Sequence, residues 1–179
     1  TVFTNTAVIQ PYDTISGTPT INQQRVYGPT QAVDVLSAPN LSAVKSLFAT
    51  SEVGPSDSLT NSTQVGEVIT YRIAVTLPEG TLSNLVVNDV LPAGLAYVLG
   101  SARTDVTGFG GTLGVLDAAP AGSGLAADGQ DVAVTFLGAT VVDGDNNSAN
   151  NSFSVLLDAV VLDVPGNVGL AGSQTVHTN

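Results

Sequence analysis

A stretch rich in acids and amides near residue 145 has the spacing of a metal-binding loop. In VVDGDNNSANNS, Asp143, Asp145 and Asn147 stand at alternate positions, as oxygen ligands do in the first half of a calcium loop. The second half departs from that pattern, because Ser148 replaces the turn glycine and Ser154 replaces the bidentate glutamate. The stretch therefore favours a hairpin loop of turn residues, with calcium binding through these three side chains as the alternative.

Catalytic and phosphate-binding motifs are missing from the sequence. His177 is the only histidine, and no Gly-x-Ser-x-Gly nucleophile elbow accompanies it. It lies in TVHTN at 175–179, whereas the similar phrase TVFTN at 1–5 has Phe3 at the equivalent position, which is typical of packing. GFGGTLG at 108–114 lacks the Gly-Lys-Ser/Thr ending of a phosphate loop and predicts a flexible loop. We expect neither an enzyme nor a cofactor, calcium apart.

Four Asn-x-Ser/Thr sequons offer acceptors for N-glycosylation, and they begin at Asn40, Asn61, Asn146 and Asn150. Such triplets arise by chance in a chain rich in Asn and Ser. They matter only if the source organism glycosylates its surface proteins.

Lys45 is the only lysine of the chain. It lies in LSAVKSLFA, whose alternation places it on one face of a strand with Ala43 and Leu47. A charged amine on a buried face is costly unless it is paired or consumed in a reaction. The simpler interpretation, which the usual exposure of lysine favours, puts Lys45 on the solvent face, opposite Val44 and Phe48.

The composition excludes several classes of partner. The formal net charge is −11, and the basic residues Arg25, Lys45, Arg72 and Arg103 are scattered, so we expect no nucleic-acid partner. Charged residues make up only 11% of the chain, and a composition rich in Thr, Ser, Val and Gly suits strands and turns. The chain has no cysteine, which excludes disulfides and thiolate metal sites.

No apolar run approaches the roughly 18 residues of a membrane-spanning helix, so no membrane span is predicted. No signal peptide opens the sequence, and in a secreted protein it would have been removed or would belong to a longer precursor.

The elements that must position these residues are predicted to be strands. In EVITYRIAVTL, the odd-numbered residues from Glu67 to Leu77 share one face, which predicts a half-buried strand. The turn PEGTLSN separates it from the strand LVVNDVL, and LPAGL turns the chain again. Further strands are predicted in TVFTNTAVIQ, LAYVLGS, DVAVTFLG, NSFSVLLDAVVLDV and GSQTVHT.

Two regions follow from this pattern. Residues 1–36 predict an N-terminal strand and a turn-rich connector, with at most one short strand around Arg25–Tyr27. Residues 37–179 predict an antiparallel β-sandwich, since seven or more short strands alternate with turns and no helical stripe is present. The sandwich should bury the odd-numbered face of residues 67–77 between its two sheets.

The run from residue 65 to residue 102 resembles the repeat domain of prokaryotic surface proteins called domain of unknown function 11, and the related fimbrial isopeptide-forming domains. The residues that carry the resemblance are Gly66-Glu67, Tyr71 and the turn from Asp89 to Leu95. The likeness extends over about residues 37–179, and it implies an immunoglobulin-like sandwich that acts as a spacer or adhesive module outside the cell.

The same resemblance implies a covalent role for Lys45. In fimbrial isopeptide domains, a lysine of the first strand bonds to an asparagine of the last strand, with help from a buried acid. The matching acceptor is Asn179, or Asn5 of a neighbouring unit, because both belong to a Thr-Val-x-Thr-Asn phrase. The candidate acids are Glu67, Asp89 and Asp158, and Glu67 is slightly favoured because it shares a strand face with Tyr71 and Ile73.

The repeated TVxTN phrase also predicts how units are joined. Residues 1–10 look like the last strand of a preceding unit, linked in tandem in one polypeptide or donated to the sheet of a separate subunit. We therefore expect a structural module of an extracellular filament, stalk or surface adhesin, whose partners are copies of itself or adjacent repeats. The alternative is an adhesive module that binds calcium or a carbohydrate.

Overall fold

The structure is a computed structural model, and it describes residues 2–9, 12–13, 26–27, 30–37, 41–52, 63–142 and 144–167. It divides the chain into two compact units, Thr1–Asn40 and Leu41–Asn179. The strands of the first unit are β1 (Val2–Ile9), β2 (Tyr12–Asp13), β3 (Val26–Tyr27) and β4 (Thr30–Ser37). Those of the second are β5 (Ser42–Thr50), β6 (Val68–Thr76), β7 (Gly80–Asp89), β8 (Leu95–Tyr97), β9 (Arg103–Asp105), β10 (Gly111–Thr112), β11 (Val115–Ala119), β12 (Val132–Val142) and β13 (Ser152–Val161).

The first unit contains two antiparallel strand pairs. Strand β1 pairs with β4 over its whole length, from Val2 opposite Ser37 to Ile9 opposite Thr30, and β2 pairs with β3. The sequence predicted β1 but at most one short strand between residues 11 and 36, so β2 and β4 correct that expectation. The turn signal of Gly28 and Pro29 hid β4, although TQAVDVLS carries β-branched residues that suit a strand.

The second unit is an antiparallel β-sandwich of two packed sheets. In the first sheet, β6 lies between β5 and β13, and β13 also pairs with β8 and β9. In the second sheet, β12 pairs with β7 along one side and with β10 and β11 along the other. The described residues contain no helix beyond the 3-10 turn Ser148–Asn150. No helix among them could span a membrane.

The core lies between the two sheets and follows the predicted alternation. The odd-numbered residues Ile69, Ile73 and Val75 of β6 are buried, as is Leu77 just beyond it. They pack in one cluster with β12 and β13, whose buried apolar members are Val132, Val134, Phe136, Val142, Phe153, Val155, Leu157, Ala159 and Val161. This burial confirms the predicted inward face of residues 67–77.

Two strands differ from the prediction, and both differences involve a glycine. Strand β7 begins at Gly80, so residues 80–84 belong to it and not to the predicted turn. The predicted loop at 108–114 contains strand β10, and a Cβ at Gly111 would collide with the backbone oxygen of Val141. Only glycine allows β10 to approach β12 this closely.

Candidate functional site

Lys45 lies on the inward face of β5. It pairs with Ile73 of β6, and directly paired residues of neighbouring strands point to the same side of a sheet. Because Ile73 is buried in the core, Lys45 is directed toward the second sheet, and only 18% of its side chain is exposed. The solvent-facing interpretation of Lys45 is therefore wrong. The alternation ends beyond Leu47, where the register shifts and Ala49 pairs with Thr70.

Asp89 meets Lys45 from the opposite sheet. Lys45 Nζ donates to Asp89 Oδ1 over 2.6 Å, and the Asp89 side chain is only 3% exposed. Asp89 is the last residue of β7 and pairs with the buried Val132, so it continues the inward face of Val87. The ion pair thus joins β5 of the first sheet to β7 of the second.

Tyr71 completes the surroundings of the amine. Lys45 Nζ lies 3.9 Å from the centroid of the Tyr71 ring, which is within the range of a cation–π contact. Burial raises the pKa of the Tyr71 phenol, and the negative charge of Asp89 adds to the effect. The sequence assigned Tyr71 to the inward face of β6 and to the family pattern. It did not show that the Tyr71 ring contacts the amine of Lys45.

Two effects act on the pKa of Lys45 in opposite directions. Burial disfavours the charged amine and lowers the pKa of Lys45, while the hydrogen bond and the charge of Asp89 raise it. Burial is the larger effect, so the pKa of Lys45 lies below that of a free lysine. A larger share of the amine is neutral than in water, and only a neutral amine is a nucleophile.

The second oxygen of Asp89 is buried without a hydrogen-bond donor among the described residues. A buried carboxylate oxygen in this state costs free energy, since it has given up water without a replacement. Asp89 therefore binds Lys45 through Oδ1 and has Oδ2 left to accept a further donor.

The other two candidate acids lie elsewhere. Glu67 Oε2 accepts from the backbone N–H of Gln64 over 2.8 Å, and Glu67 is separated from the pairing partner of Lys45 by six residues of β6, roughly 20 Å at strand spacing. Asp158 accepts from Thr70 over 2.8 Å and from Arg103 over 3.0 Å, on the outward face of the first sheet. Of the three acids, the structure brings only Asp89 to Lys45.

The structure tests neither of the two candidate acceptor amides. Asn179 lies outside the described residues, and Asn5 is in β1 of the first unit, where its backbone pairs with Asp34. The predicted bond between Lys45 and an asparagine stays a hypothesis.

The surface around the ion pair is incomplete on one side. Among the described residues, β5 pairs only with β6, and β7 pairs only with β12, so both strands have a free edge. Ala43 is exposed and Leu47 is 37% exposed, although both share the inward face of Lys45. We call this surface the β5–β7 edge, and define it by Ala43, Lys45, Leu47, Tyr71 and Asp89.

Two of the predicted calcium ligands, Asp145 and Asn147, form hydrogen bonds within their own loop. Asp145 Oδ1 accepts from the Asn147 N–H over 2.9 Å, and Oδ2 accepts from Asn150 Nδ2 over 2.8 Å. These bonds lower the pKa of Asp145, and the bond from Asn150 has the largest effect. Asn147 accepts from Ala149 N and caps the 3-10 turn. Asp143 lies outside the described residues, and those that are described hold no cluster of three metal-binding acids or histidines.

The sequons differ in accessibility. Asn146 is exposed on the hairpin loop, whereas the amide of Asn150 is occupied by its bond to Asp145. Asn40, Asn61 and the lone His177 lie outside the described residues.

A surface depression of about 520 Å³ lies at the outer face of the second sheet. Its lining consists of Asn88, Val90, Ala119, Pro120, Gln130, Asp131, Val132 and Ala133. No aromatic ring lines it, and sugar sites commonly rely on such a ring for stacking, so it adds nothing to the carbohydrate alternative.

No protein-family model, no curated protein and no solved structure matches this chain. The resemblance of residues 65–102 to a surface-protein repeat therefore stays an expectation.

Proposed function

We propose that the chain is a structural module of an extracellular filament, stalk or large surface adhesin, in which the β-sandwich is a rigid link joined to neighbouring units. The observation that carries this proposal is the ion pair of Lys45 and Asp89, which ties an edge strand of one sheet to an edge strand of the other. A link that transmits force gains from a tie between its sheets. The described loops add no contact in favour of calcium or carbohydrate binding.

The chemistry of the site is a bond between the Lys45 amine and the side chain of an asparagine, Asn179 of the same chain or Asn5 of a neighbour. Lys45 Nζ attacks the amide carbon, a new C–N bond forms, and the bond from that carbon to Nδ2 breaks. Asp89 accepts a proton from Nζ and returns it to the departing nitrogen, so ammonia leaves and no oxidant is needed.

Three features of the site support this reaction. The amine and the acid are held 2.6 Å apart by strands, which fixes their mutual orientation. Burial lowers the pKa of Lys45 and so increases the neutral fraction of the nucleophile. Asp89 Oδ2 is a buried acceptor to which the amide N–H of an incoming asparagine can donate.

The bond would serve in place of a disulfide in a chain without cysteine. Cross-links act mainly by reducing the conformational freedom of the unfolded chain, and loops of this length correspond to about 3–5 kcal/mol by the disulfide relation. Such a gain suits a module that works under tension.

Intact mass spectrometry of the denatured protein tests the proposal. We expect a mass lower than that of the sequence by one ammonia per bond, and peptide mapping should locate the bond at Lys45. The variants Lys45→Ala and Asp89→Ala should regain the full mass. Asp158→Ala is the matched control, since it removes an acid of the outward face and should keep the deficit. A wild-type mass equal to that of the sequence would refute the covalent link.

A further inference from the structure

The β5–β7 edge has the properties of an unfilled strand position. The backbone of β7 pairs on one side only among the described residues, and an unpaired edge is a template for another strand. Next to it, Leu47 and Ala43 leave apolar surface uncovered, and Asp89 Oδ2 has no described donor although its side chain is 3% exposed. A strand on this edge would need apolar inward residues and one amide or hydroxyl at the level of Asp89.

Strand β1 has the complementary properties. It pairs with β4 on one side, and no described strand pairs with its other edge. Its eight residues nearly match the ten of β7. Thr4, Thr6, Ala7 and Val8 are exposed, so neither face of β1 is covered at these positions.

The sequence of β1 also supplies the missing donor. At its positions of odd number the sequence has Phe3, Asn5, Ala7 and Ile9, of which Asn5 alone is polar, and strand periodicity would place these positions on one face of a docked strand. That residue, Asn5, carries an amide that can donate to Asp89 Oδ2. The residues of even number, Thr4, Thr6 and Val8, would then stay on the outer face.

We infer that β1 of a second copy of this chain adds to the free edge of β7, with Asn5 against Asp89. This inference rests on the proposed function and names its partner. Strand β1 is already ordered by β4, so little further ordering opposes its docking. Each copy offers one donor strand and one acceptor edge, and such a head-to-tail contact joins successive copies into a filament or a ring, according to the rotation between them.

Sedimentation velocity of the full chain over a range of concentrations tests the inference. We expect species larger than a monomer that grow with concentration. Asn5→Asp puts a second carboxylate against Asp89 and should weaken self-association at least about tenfold. Asn179→Asp makes the same change in the other TVxTN phrase and should leave self-association unchanged.

The acceptor side has its own matched pair. Ala43→Arg fills the β5–β7 edge from an exposed position beside Lys45 and should abolish association without disturbing the core. Val44→Arg changes the other face of the same strand, where the side chain is 65% exposed, and should have no effect.

A mixing experiment distinguishes strand addition from other contacts. A chain with Asn5→Asp keeps its acceptor edge, and a chain with Ala43→Arg keeps its donor strand, so each alone should be monomeric and their mixture should form a one-to-one complex.

A monomeric wild-type chain, a mixture without a complex, or association lost with Asn179→Asp but kept with Asn5→Asp would overturn the inference. A monomer that still lacks one ammonia would overturn the inference while keeping the proposed function. Polymers of full mass would keep strand addition and refute the bond.

Discussion

Lys45 and Asp89 lie 44 positions apart in the sequence and on different sheets, yet Nζ and Oδ1 are 2.6 Å apart. The contact exists because β5 and β7 are edge strands on the same side of the sandwich, and both residues point inward. It gives the only lysine of the chain a buried acid and an aromatic ring as neighbours.

In the Asn5→Ala/Asn179→Ala variant, where the Lys45 amine stays free, Asp89→Asn should lower the free energy of unfolding by about 3 kcal/mol, because it leaves a largely buried amine without its counter-charge. Urea unfolding followed by circular dichroism measures the change. Asp158→Asn is the control, since its partner Arg103 is 46% exposed and that pair should contribute less than about 1 kcal/mol. Equal losses for the two variants would contradict a special role for Asp89.

The pH dependence of stability should reveal the titration of the Tyr71 phenol. Its folded pKa is raised by burial above the unfolded value of 10.0, so its contribution to stability is complete below pH 10 and is lost as the pH rises through the folded pKa. The wild-type chain should therefore lose more stability than Tyr71→Phe between pH 9.5 and pH 11, a window of roughly one unit around the usual pKa of tyrosine. Urea titrations at both pH values compare them, and parallel losses would contradict the prediction.

The reactivity of Lys45 should show its lowered pKa. In the double variant Asn5→Ala/Asn179→Ala, neither candidate amide can consume the amine, and acetic anhydride labelling of this sole lysine can be followed by peptide mapping. The rate should reach half of its maximum at a pH below 10.5, because burial disfavours the charged form. The same double variant unfolded in urea is the control. A midpoint at or above that of the unfolded chain would contradict the assignment.

Stability should also follow the titration of Lys45 in the Asn5→Ala/Asn179→Ala variant, where the amine stays free. A folded pKa below the unfolded value means that its contribution is complete above pH 10.5 and is lost as the pH falls through the folded pKa. This trend is opposite to that of Tyr71. Adding Lys45→Met to this variant keeps the apolar stem without the charge. Urea titrations on the acidic side of pH 10.5 should then no longer show this loss of stability.

Calcium should leave the melting temperature unchanged. Both carboxylate oxygens of Asp145 already accept hydrogen bonds within the loop, so a cation would have to compete with these bonds. Differential scanning calorimetry with millimolar calcium and with chelator provides the comparison, and Asp145→Ala serves as control. A calcium-dependent rise in wild type that Asp145→Ala lacks would restore the metal interpretation.

The strands and their inward faces could be predicted because strand periodicity is local. The alternation from Glu67 to Leu77 identified the buried face of β6, and the turn from Asp89 to Leu95 identified the end of β7. Strand β4 was missed because Gly28 and Pro29 signal a turn more strongly than the following eight residues signal a strand.

The site was only partly predictable. The sequence singled out Lys45 because it is the only lysine, and among the acids Glu67, Asp89 and Asp158 it slightly favoured Glu67, which is not the acid that meets Lys45. Alternation assigns a residue to a face of its own strand, but it does not say which strand of another sheet lies opposite. That choice depends on how the two sheets are stacked, which aligns Asp89 with Lys45 and turns Asp158 outward.

By itself, the sequence determined an all-β chain with a repeated TVxTN phrase, because side-chain periodicity and repeated residues are properties of the linear chain. The tertiary structure decided which acid meets Lys45, that Tyr71 covers the amine, and that β5 and β7 each have an edge without a partner strand among the described residues. These are properties of strands distant in the chain, and they arise only when packing of the core fixes the two sheets against each other.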